Sequence, residues 1–442
     1  MILLCRILRT VGRWLGRGSS LPGEIVLKLD PTILQRVTLP KYIVAVTGSN
    51  GKTSTVEMIA KILTDAGMKV AYNREGSNQI QGVTTLILSN CNLKGQVQAD
   101  VLLIESDERY ARFTFRHFSP THFVITNLYR DQMTRNGHPE WIYDIIDQSV
   151  QLMGENTNFL LNADDPLVSR FGQGKQKVTW FGVGETPDSH RPYDSLYDDG
   201  AHCPVCKGKM VYNFRHFAAM GDYRCLACGY HREKPQFEAT DLQLSRGYLT
   251  INGQTTIHLA LKSMYNVYNV LAAFTVASLL GVQPDAISDS ISDYVLTNGR
   301  VVSFHMGEHQ GLLLTSKHEN STSYNQSIQL ATAPERDCTI LVIVQAISRK
   351  YFTSDTSWLW DIDFEKLNVP CVKKILLAGT YCWDLAARFD YTGIAPDKIV
   401  ADPSIDQAME TMRREGVGDL YVITCLSDKD KFLTRLRKEE LE

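Results

Sequence analysis

Val44-Ala-Val-Thr-Gly-Ser-Asn-Gly-Lys-Thr53 gathers two glycines, a lysine and several hydroxyl residues into one short segment after an apolar run. Gly48 and Gly51 let the backbone approach a polyphosphate closely. Successive amides and the start of a following helix then face the anion. Lys52 is placed to neutralise β/γ oxygens, and the Thr53 hydroxyl to ligate Mg²⁺. Tyr42–Thr47 has the pattern of a buried strand, and the stretch from about Thr53 to Ala66 that of a helix closed by Gly67. Strand, loop and helix thus follow in the order a nucleotide site requires. A plain strand–turn–helix would leave Gly-Lys-Thr at the helix start unexplained. The generic phosphate loop has a glycine where this chain has Val46.

A second constellation is Cys203-Pro-Val-Cys206 with Cys225-Leu-Ala-Cys228. Each Cys-x-x-Cys turns two thiolates to one side, and two such knuckles close a tetrahedral four-sulfur shell. Zinc is the expected ion, and a closed shell makes it structural, since no position is left for water. Two disulfides or a redox pair are the alternatives. Nucleic-acid binding is disfavoured, because only Lys207, Lys209, Arg215 and Arg224 are basic between the knuckles.

The chain has 442 residues, 46 Lys+Arg against 49 Asp+Glu and a net charge of −3, which gives no reason to expect a polyanionic partner. Length suggests two or three domains. Of ten cysteines, Cys5, Cys91, Cys338, Cys371, Cys382 and Cys425 are scattered, as suits a reducing compartment with one metal site. No run approaches a membrane span and no cleavable signal is evident, so a cytoplasmic protein is expected.

Strand-like runs at Val101–Ile104, Phe123–Thr126, Phe159–Leu161 and Val178–Phe181 alternate with helical patterns. This predicts an α/β domain built on a mostly parallel sheet covered on both faces. The expected layout is an extension over 1–40, a nucleotide domain over 41–298 with an inserted zinc ribbon at 198–235, and a second, Rossmann-like α/β domain over 299–442. A hairpin at Leu242–Ile257 and a helix at Asn269–Leu280 complete the first domain. Thr339–Val344, Lys374–Leu377 and Leu420–Thr424 are strands of the second.

At the N-terminus Leu4, Leu8, Val11 and Leu15 recur at helical spacing, with Arg6, Arg9, Arg13 and Arg17 on the other side. A basic amphipathic helix can lie on an anionic membrane at the inner face. The preferred reading is a helix packed on its own domain with a solvated basic face, because amphipathicity describes most surface helices.

Thr47-Gly-Ser-Asn-Gly-Lys-Thr53 closely resembles the ATP loop of Mur ligases and folylpolyglutamate synthetases, and further matches follow in that family's order. Glu105 ends a strand where the family has a Mg²⁺-binding Glu. Thr126-Asn-Leu-Tyr-Arg-Asp131 resembles a Thr-Asn-x-x-x-Asp segment, and Leu161-Asn-Ala-Asp-Asp-Pro166 a family turn. Asn266-Val-Tyr-Asn269 resembles the helix start that contacts adenine, and Gly299-Arg300 the boundary arginine that reaches nucleotide. Gln132 stands where the family usually has a second-metal His, which leaves the number of Mg²⁺ ions open. The usual UDP-substrate domain has no counterpart in the roughly 40 residues before the loop.

Lacking that domain and carrying a Cys₄ ribbon, the chain resembles the ligase subunits of lipid II isoglutaminyl synthases. Asp355-Thr-Ser-Trp-Leu-Trp-Asp-Ile-Asp-Phe-Glu365 is similar to a signature of that group, whereas Thr315-Ser-Lys-His-Glu-Asn320 departs from its Lys-Asn-Pro-Ala-Gly, with Lys317 as the candidate lysine. The resemblance implies an ATP-dependent carbon–nitrogen ligase that works with Mg²⁺. It would amidate the α-carboxylate of D-isoglutamate in lipid II through an acyl phosphate, with ammonia from a class I glutaminase subunit. It further implies that Asp355 completes the partner's catalytic triad, with Trp358 and Trp360 in the subunit interface. A helix cap is the plainer role for Asp355. The rival readings are a stand-alone amino-acid ligase and a non-enzymatic, nucleotide-gated zinc-ribbon adaptor.

Overall fold

The computed structural model describes residues 1–14, 18–73, 77–190, 196–259, 262–294, 301–317, 319–345 and 355–439. Leu15, Arg17, Gly299, Arg300, His318 and the stretch Ser348–Ser354 lie outside the described residues. The chain divides into two compact units. One comprises Met1–Tyr129, Pro139–Tyr193 and Asp198–Leu296; the other comprises Arg130–His138, Asp194–Tyr197 and Thr297–Glu442.

The first unit is built on β1 (Tyr42–Thr47), β2 (Val70–Tyr72), β3 (Val101–Glu105), β4 (His122–Ile125), β5 (Asn158–Asn162) and β6 (Val178–Val183). After the ribbon hairpin β7 (Met210–Phe217) and β8 (Met220–Cys225) come β9 (Phe237–Ala239), β10 (Tyr248–Ile251) and β11 (Thr255–His258). The nine-stranded sheet runs β11-β10-β9-β6-β5-β4-β1-β3-β2, parallel from β2 to β9 and antiparallel from β9 to β11. β1 lies between β3 and β4, so consecutive strands leave it in opposite directions and a crevice opens at its carboxyl end.

Strand alternation splits the core. Val44 and Val46 of β1 join a cluster with α3 (Lys52–Asp65) and the helix Met264–Leu279. Ile43 and Ala45 point the other way, onto α4 (Ile80–Asn90) and the helix Pro139–Leu152. Both faces are covered, hence the unbroken apolar run. The helix Met264–Leu279 begins five residues before the expected Asn269, because the Ser263 hydroxyl accepts from the Asn266 amide at 3.4 Å and caps it.

α1 (Ile2–Trp14) buries Cys5 and Gly12, and its Arg6 guanidinium donates to the Cys91 carbonyl. α2 (Leu21–Leu29) buries Val26 beside it. The packing expected for this helix is present, but its solvated face is not the basic one. Leu3, Ile7, Val11 and Trp14 are exposed, while Leu4, Leu8, Arg6 and Arg9 are half-buried. No helix among the described residues is long and apolar enough to cross a membrane.

The second unit holds a six-stranded sheet, β12-β13-β17-β14-β15-β16, from β12 (Val301–Met306), β13 (His309–Ser316), β14 (Cys338–Ile343), β15 (Val372–Ala378), β16 (Ile399–Asp402) and β17 (Asp419–Cys425). It is parallel except for the β12–β13 hairpin.

The ribbon is tied to the first sheet by one buried charge. Asp164 accepts from Arg232 Nε at 2.7 Å, Tyr268 Oη at 2.6 Å and the Val183 amide at 2.7 Å, while its carbonyl accepts from the Gly221 amide at 3.0 Å. The Asp164 side chain is wholly buried. Asp164→Ala leaves Arg232 with Glu238 at 3.1 Å but takes the acceptor from the Tyr268 hydroxyl and the Val183 amide, and is expected to lower the unfolding free energy by about 1–3 kcal/mol. Denaturant titration checks this through a lower midpoint at unchanged slope.

Candidate functional site

The loop 48–51 is set by backbone geometry. Gly48 has φ 132° and Gly51 φ 82°. A Cβ on Gly48 would lie 2.3 Å from Thr126 Oγ1, and one on Gly51 2.0 Å from Asn269 Oδ1. Glycine is therefore needed twice over, for conformation and for close approach. The end of β4 holds the loop from behind. The Ser49 amide donates to the Asn127 carbonyl at 2.9 Å, the Asn50 amide to Asn127 Oδ1 at 2.9 Å, and Thr126 Oγ1 to the Asn50 carbonyl at 2.9 Å. Asp165 supports this segment in turn, accepting from the Leu128 amide at 2.6 Å, and burial pushes its carboxyl up to about 7.

Lys52 is buried with its ammonium turned into the loop. Nζ donates to the Gly48 carbonyl at 2.6 Å and pairs with the carboxylate of Glu108. Glu105, at the end of β3 and in register with Val46, is also buried; Asn78 Nδ2 donates to its Oε1 at 3.1 Å. The Asn73 side chain fixes its backbone, accepting from the Glu105 amide at 2.9 Å and donating to its carbonyl at 3.1 Å. One cation and two carboxylates thus line the carboxyl ends of β1 and β3. A polyphosphate beside two carboxylates needs a divalent cation between them, so the donor set fits a nucleotide that arrives with Mg²⁺. Thr53, half-buried, follows Lys52 in the first turn of α3.

Asn266 and Asn269 lie on the first turns of the helix Met264–Leu279. Asn269 buttresses the loop, with Thr55 Oγ1 donating to its Oδ1 at 3.4 Å. Three aromatics gather beside them. The Phe217 and Tyr265 rings lie 4.3 Å apart, and Tyr129 is 6.1 Å from Phe217. Phe217 ends β7, so the ribbon hairpin reaches the segment that supports the phosphate loop.

Cys203, Cys206, Cys225 and Cys228 converge, with all four sulfurs within 4.8 Å of one another. The Cys203–Cys228 and Cys206–Cys225 separations are 3.7 and 3.5 Å. A tetrahedron with metal–sulfur bonds of about 2.3 Å has edges of about 3.8 Å, so the cluster has the size of a metal site. Backbone amides of Val205, Gly208 and Ala227 donate to Cys203, Cys206 and Cys225 sulfurs, each at 3.4 Å. The Cys228 amide pulls the Cys225 thiol down to about 6, whereas burial pushes the Cys203 thiol up to about 12. None of the ten cysteines forms a disulfide.

In the second unit, buried Asp131 accepts from Asn320 Nδ2 at 2.6 Å and lies 3.7 Å from Lys317 Nζ, so Lys317 is an ion-pair partner. Gln132 adopts φ 50°, its amide donating to the Glu319 carbonyl at 2.9 Å. Asp355 is exposed; the Ser357 side chain and amide, the latter donating to its Oδ1 at 2.9 Å, hold the carboxyl below its usual range. The N-cap of the short helix Ser357–Asp361 is Thr356, so Asp355 sits one residue ahead of it in an Asx-type turn and is not the helix cap expected as its plainer role. Trp358 is a core residue, 5.3 Å from the Tyr324 ring, and not the surface aromatic expected. In this 3₁₀ turn Trp358 and the adjacent Leu359 both enter the core, and Trp360, two residues beyond Trp358, is turned out to solvent. Trp360 is exposed and packs on Tyr391 at 5.2 Å, and Trp383 is exposed on the helix Cys382–Phe389, whose Asp384 accepts from Thr356 Oγ1 at 2.8 Å.

Glu108 is the site residue that sequence reasoning missed. Its signal was a second carboxylate one turn beyond Glu105. Asn127 lay within a recognised segment, but its double contact with the loop required the β1–β4 pairing. Arg300, the expected boundary arginine, lies outside the described residues.

Residues 46–207 match the family model of the Mur ligase middle domain, and residues 318–427 that of the MurT ligase C-terminal domain. The chain is 29% identical over 97% of its length, and 94% of the relative's, to the lipid II isoglutaminyl synthase (glutamine-hydrolyzing) subunit MurT of Streptococcus pneumoniae. It is 28% identical over 94% of its length, and 92% of the relative's, to the subunit of that name in Staphylococcus aureus. A pseudomurein peptide ligase type C from Methanothermus fervidus superposes with a TM-score of 0.71 at 19% identity, covering 92% of this chain and 80% of that one.

Gly51→Ala forces a left-handed alanine against Asn269. It is expected to abolish nucleotide binding, measured by calorimetry, and to cost about 1–3 kcal/mol in unfolding free energy.

Proposed function

The chain belongs to the Mur ligase family, and from that premise we propose that it amidates the α-carboxylate of D-isoglutamate in the lipid II stem peptide. The observation that carries this reading is the similarity along nearly the whole chain, C-terminal domain included, to subunits named for lipid II isoglutaminyl synthesis. A stand-alone amino-acid ligase or a nucleotide-gated adaptor has no such support.

In this reading 41–298 is the nucleotide domain with the ribbon at 198–235 inserted, and 299–442 the second domain. Gly48, Ser49, Asn50, Gly51, Lys52 and Thr53 would cradle the phosphates of ATP, and Asn266 and Asn269 would contact its adenine; Arg300, the nucleotide-reaching arginine that the family resemblance implies, lies outside the described residues. Thr53 and Glu105 would hold Mg²⁺, which would supply charge to offset the repulsion between two anions, the attacking carboxylate and the γ-phosphate. Lys52 leaves the Gly48 carbonyl for the phosphate oxygens, while Glu108 keeps the buried ammonium oriented and paired. A carboxylate oxygen attacks the γ-phosphorus and ADP leaves, giving the acyl phosphate. Ammonia then attacks the acyl carbon, phosphate leaves, and the nitrogen loses a proton. D-isoglutamine remains.

Ammonia comes from a class I glutaminase, whose Cys–His pair needs an acid to fix the imidazole. We assign that acid to Asp355. Exposed carboxylate geometry supports the role, as do the aromatics Trp360, Trp383 and Tyr391, of the kind enriched at interfaces. Accepting from Ser357 and serving a partner histidine are compatible, since a carboxylate has two oxygens.

The test is a split in nitrogen source. With the assembled complex, Asp355→Asn should lower glutamine-dependent amidation by about 10³-fold or more while free ammonium still supports ATP-driven amidation. Lys52→Ala and Glu105→Ala should abolish both with the fold retained, Lys52→Ala at a lower melting temperature because buried Glu108 loses its partner. Survival of glutaminase activity in Asp355→Asn would leave Asp355 as a turn residue only.

The four-cysteine cluster is assigned to structural zinc. Elemental analysis should give about one zinc per chain, and Cys225→Ser should lose it together with hairpin stability, because site formation contributes folding energy. Zinc-free protein purified without chelator would refute the assignment.

A further inference from the structure

α1 turns an apolar line to solvent. Leu3, Ile7, Val11 and Trp14 are 60, 53, 49 and 87% exposed, and their spacing of i, i+4, i+8 and i+11 puts them in one row along the helix. The side packed on the domain carries Cys5 and Gly12 instead. Between Ile2 and Trp14 the helix has Arg6, Arg9 and Arg13 and no acidic residue.

These features together identify the class of surface that would cover the row. Four side chains on one helix fall well short of the roughly 1,200–2,000 Å² that a stable protein interface buries. Of the helix's arginines only Arg13 is exposed; Arg6 and Arg9 are half-buried, Arg6 donating to the Cys91 carbonyl. An apolar line that ends in an exposed arginine and a tryptophan, on a helix without acidic residues, matches the headgroup–acyl boundary of an anionic bilayer. The same helix also walls a cavity of about 250 Å³, lined by Arg9, Arg13, Ser19, Asn73 and Ser77. Asn73 is the residue that holds the backbone of Glu105, at 2.9 and 3.1 Å. The outward row and the edge of the nucleotide site are thus on opposite sides of one helix.

We propose that α1 docks the protein on an anionic phospholipid surface, with Leu3, Ile7, Val11 and Trp14 in the acyl boundary and Arg13 among lipid phosphates. The purpose of docking rests on the lipid-linked substrate proposed above, since a substrate that cannot leave the membrane has to be met there.

The experiment is co-sedimentation of the full chain with vesicles of phosphatidylglycerol and phosphatidylcholine in equal parts, and with vesicles of phosphatidylcholine alone. Binding should be strong to the first and weak to the second, and should fall on raising salt. The double variant Ile7→Asp, Trp14→Asp should bind the anionic vesicles about tenfold more weakly or less, with an unchanged melting curve, because both side chains already lie in water. Absent binding by the native chain, or equal binding by the variant, overturns the proposal. So does a native dimer in light scattering that the variant dissolves, which would make a second copy the occupant. A water-soluble stem-peptide analogue separates this from the functional reading. The variant in complex with its glutaminase should amidate it at the native rate. Failure of the native complex on that analogue would strike the substrate assignment and leave the vesicle result standing.

Discussion

A buried ammonium at the mouth of a parallel sheet is the constraint on which the first unit depends. Lys52 has almost no contact with solvent, so its charge has to be met by the Gly48 carbonyl and Glu108. That requirement places Glu108 one turn beyond the end of β3, and β3 beside β1. It also demands a loop tight enough to point its carbonyl inward, which only glycine at positions 48 and 51 permits. The pairing is poised for exchange, because an anion that offers better oxygens can take the ammonium while the carboxylate stays to balance it.

The four-cysteine cluster is remote from that chemistry in sequence but linked to it through packing. Its hairpin is short and two-stranded, and such ribbons are marginal by themselves. Four converging sulfurs hold one end, Asp164 with Arg232 and Tyr268 holds the base, and Phe217 at the far end stacks with Tyr265 near Tyr129. Tyr129 follows the Thr126–Asn127 segment that hydrogen-bonds the phosphate loop. Closing the cluster therefore stiffens one wall of the nucleotide site without placing a metal in it.

The second unit has a buried charge of its own, Arg388, which pairs with Glu365 at 2.8 Å and donates to the Ile362 carbonyl at 2.8 Å. Trp358 fills the core against Tyr324, and this fixes the short helix from which Trp360 projects. Asp355 precedes the same helix, its orientation set by the Ser357 amide. An acid presented this way is rigid enough to serve another molecule's histidine, and one oxygen remains to do it. The exposed aromatics around it, like the exposed row on α1, are apolar groups that folding of this chain alone leaves in water.

The phosphate loop, the cysteine knuckles and the alternation of strands and helices were legible in the sequence, since each depends on local chemistry: glycine freedom, thiolate spacing, apolar periodicity. The place of Glu105 at a strand end was legible for the same reason. What only the tertiary structure decided were matters of long-range pairing and orientation. Glu108 meets Lys52 because β1 and β3 are neighbours, and Asn269 touches Gly51 across more than two hundred residues because two helices pack on one face of the sheet. Lys317 turns to Asp131 because Asn320 and Gln132 fold the two segments together. The outward face of α1 was misjudged for a related reason. Periodicity shows that a helix has an apolar side, but which part of it meets the protein is set by the partner surface. Here the small residues Cys5 and Gly12 pack closest and leave the large ones outside.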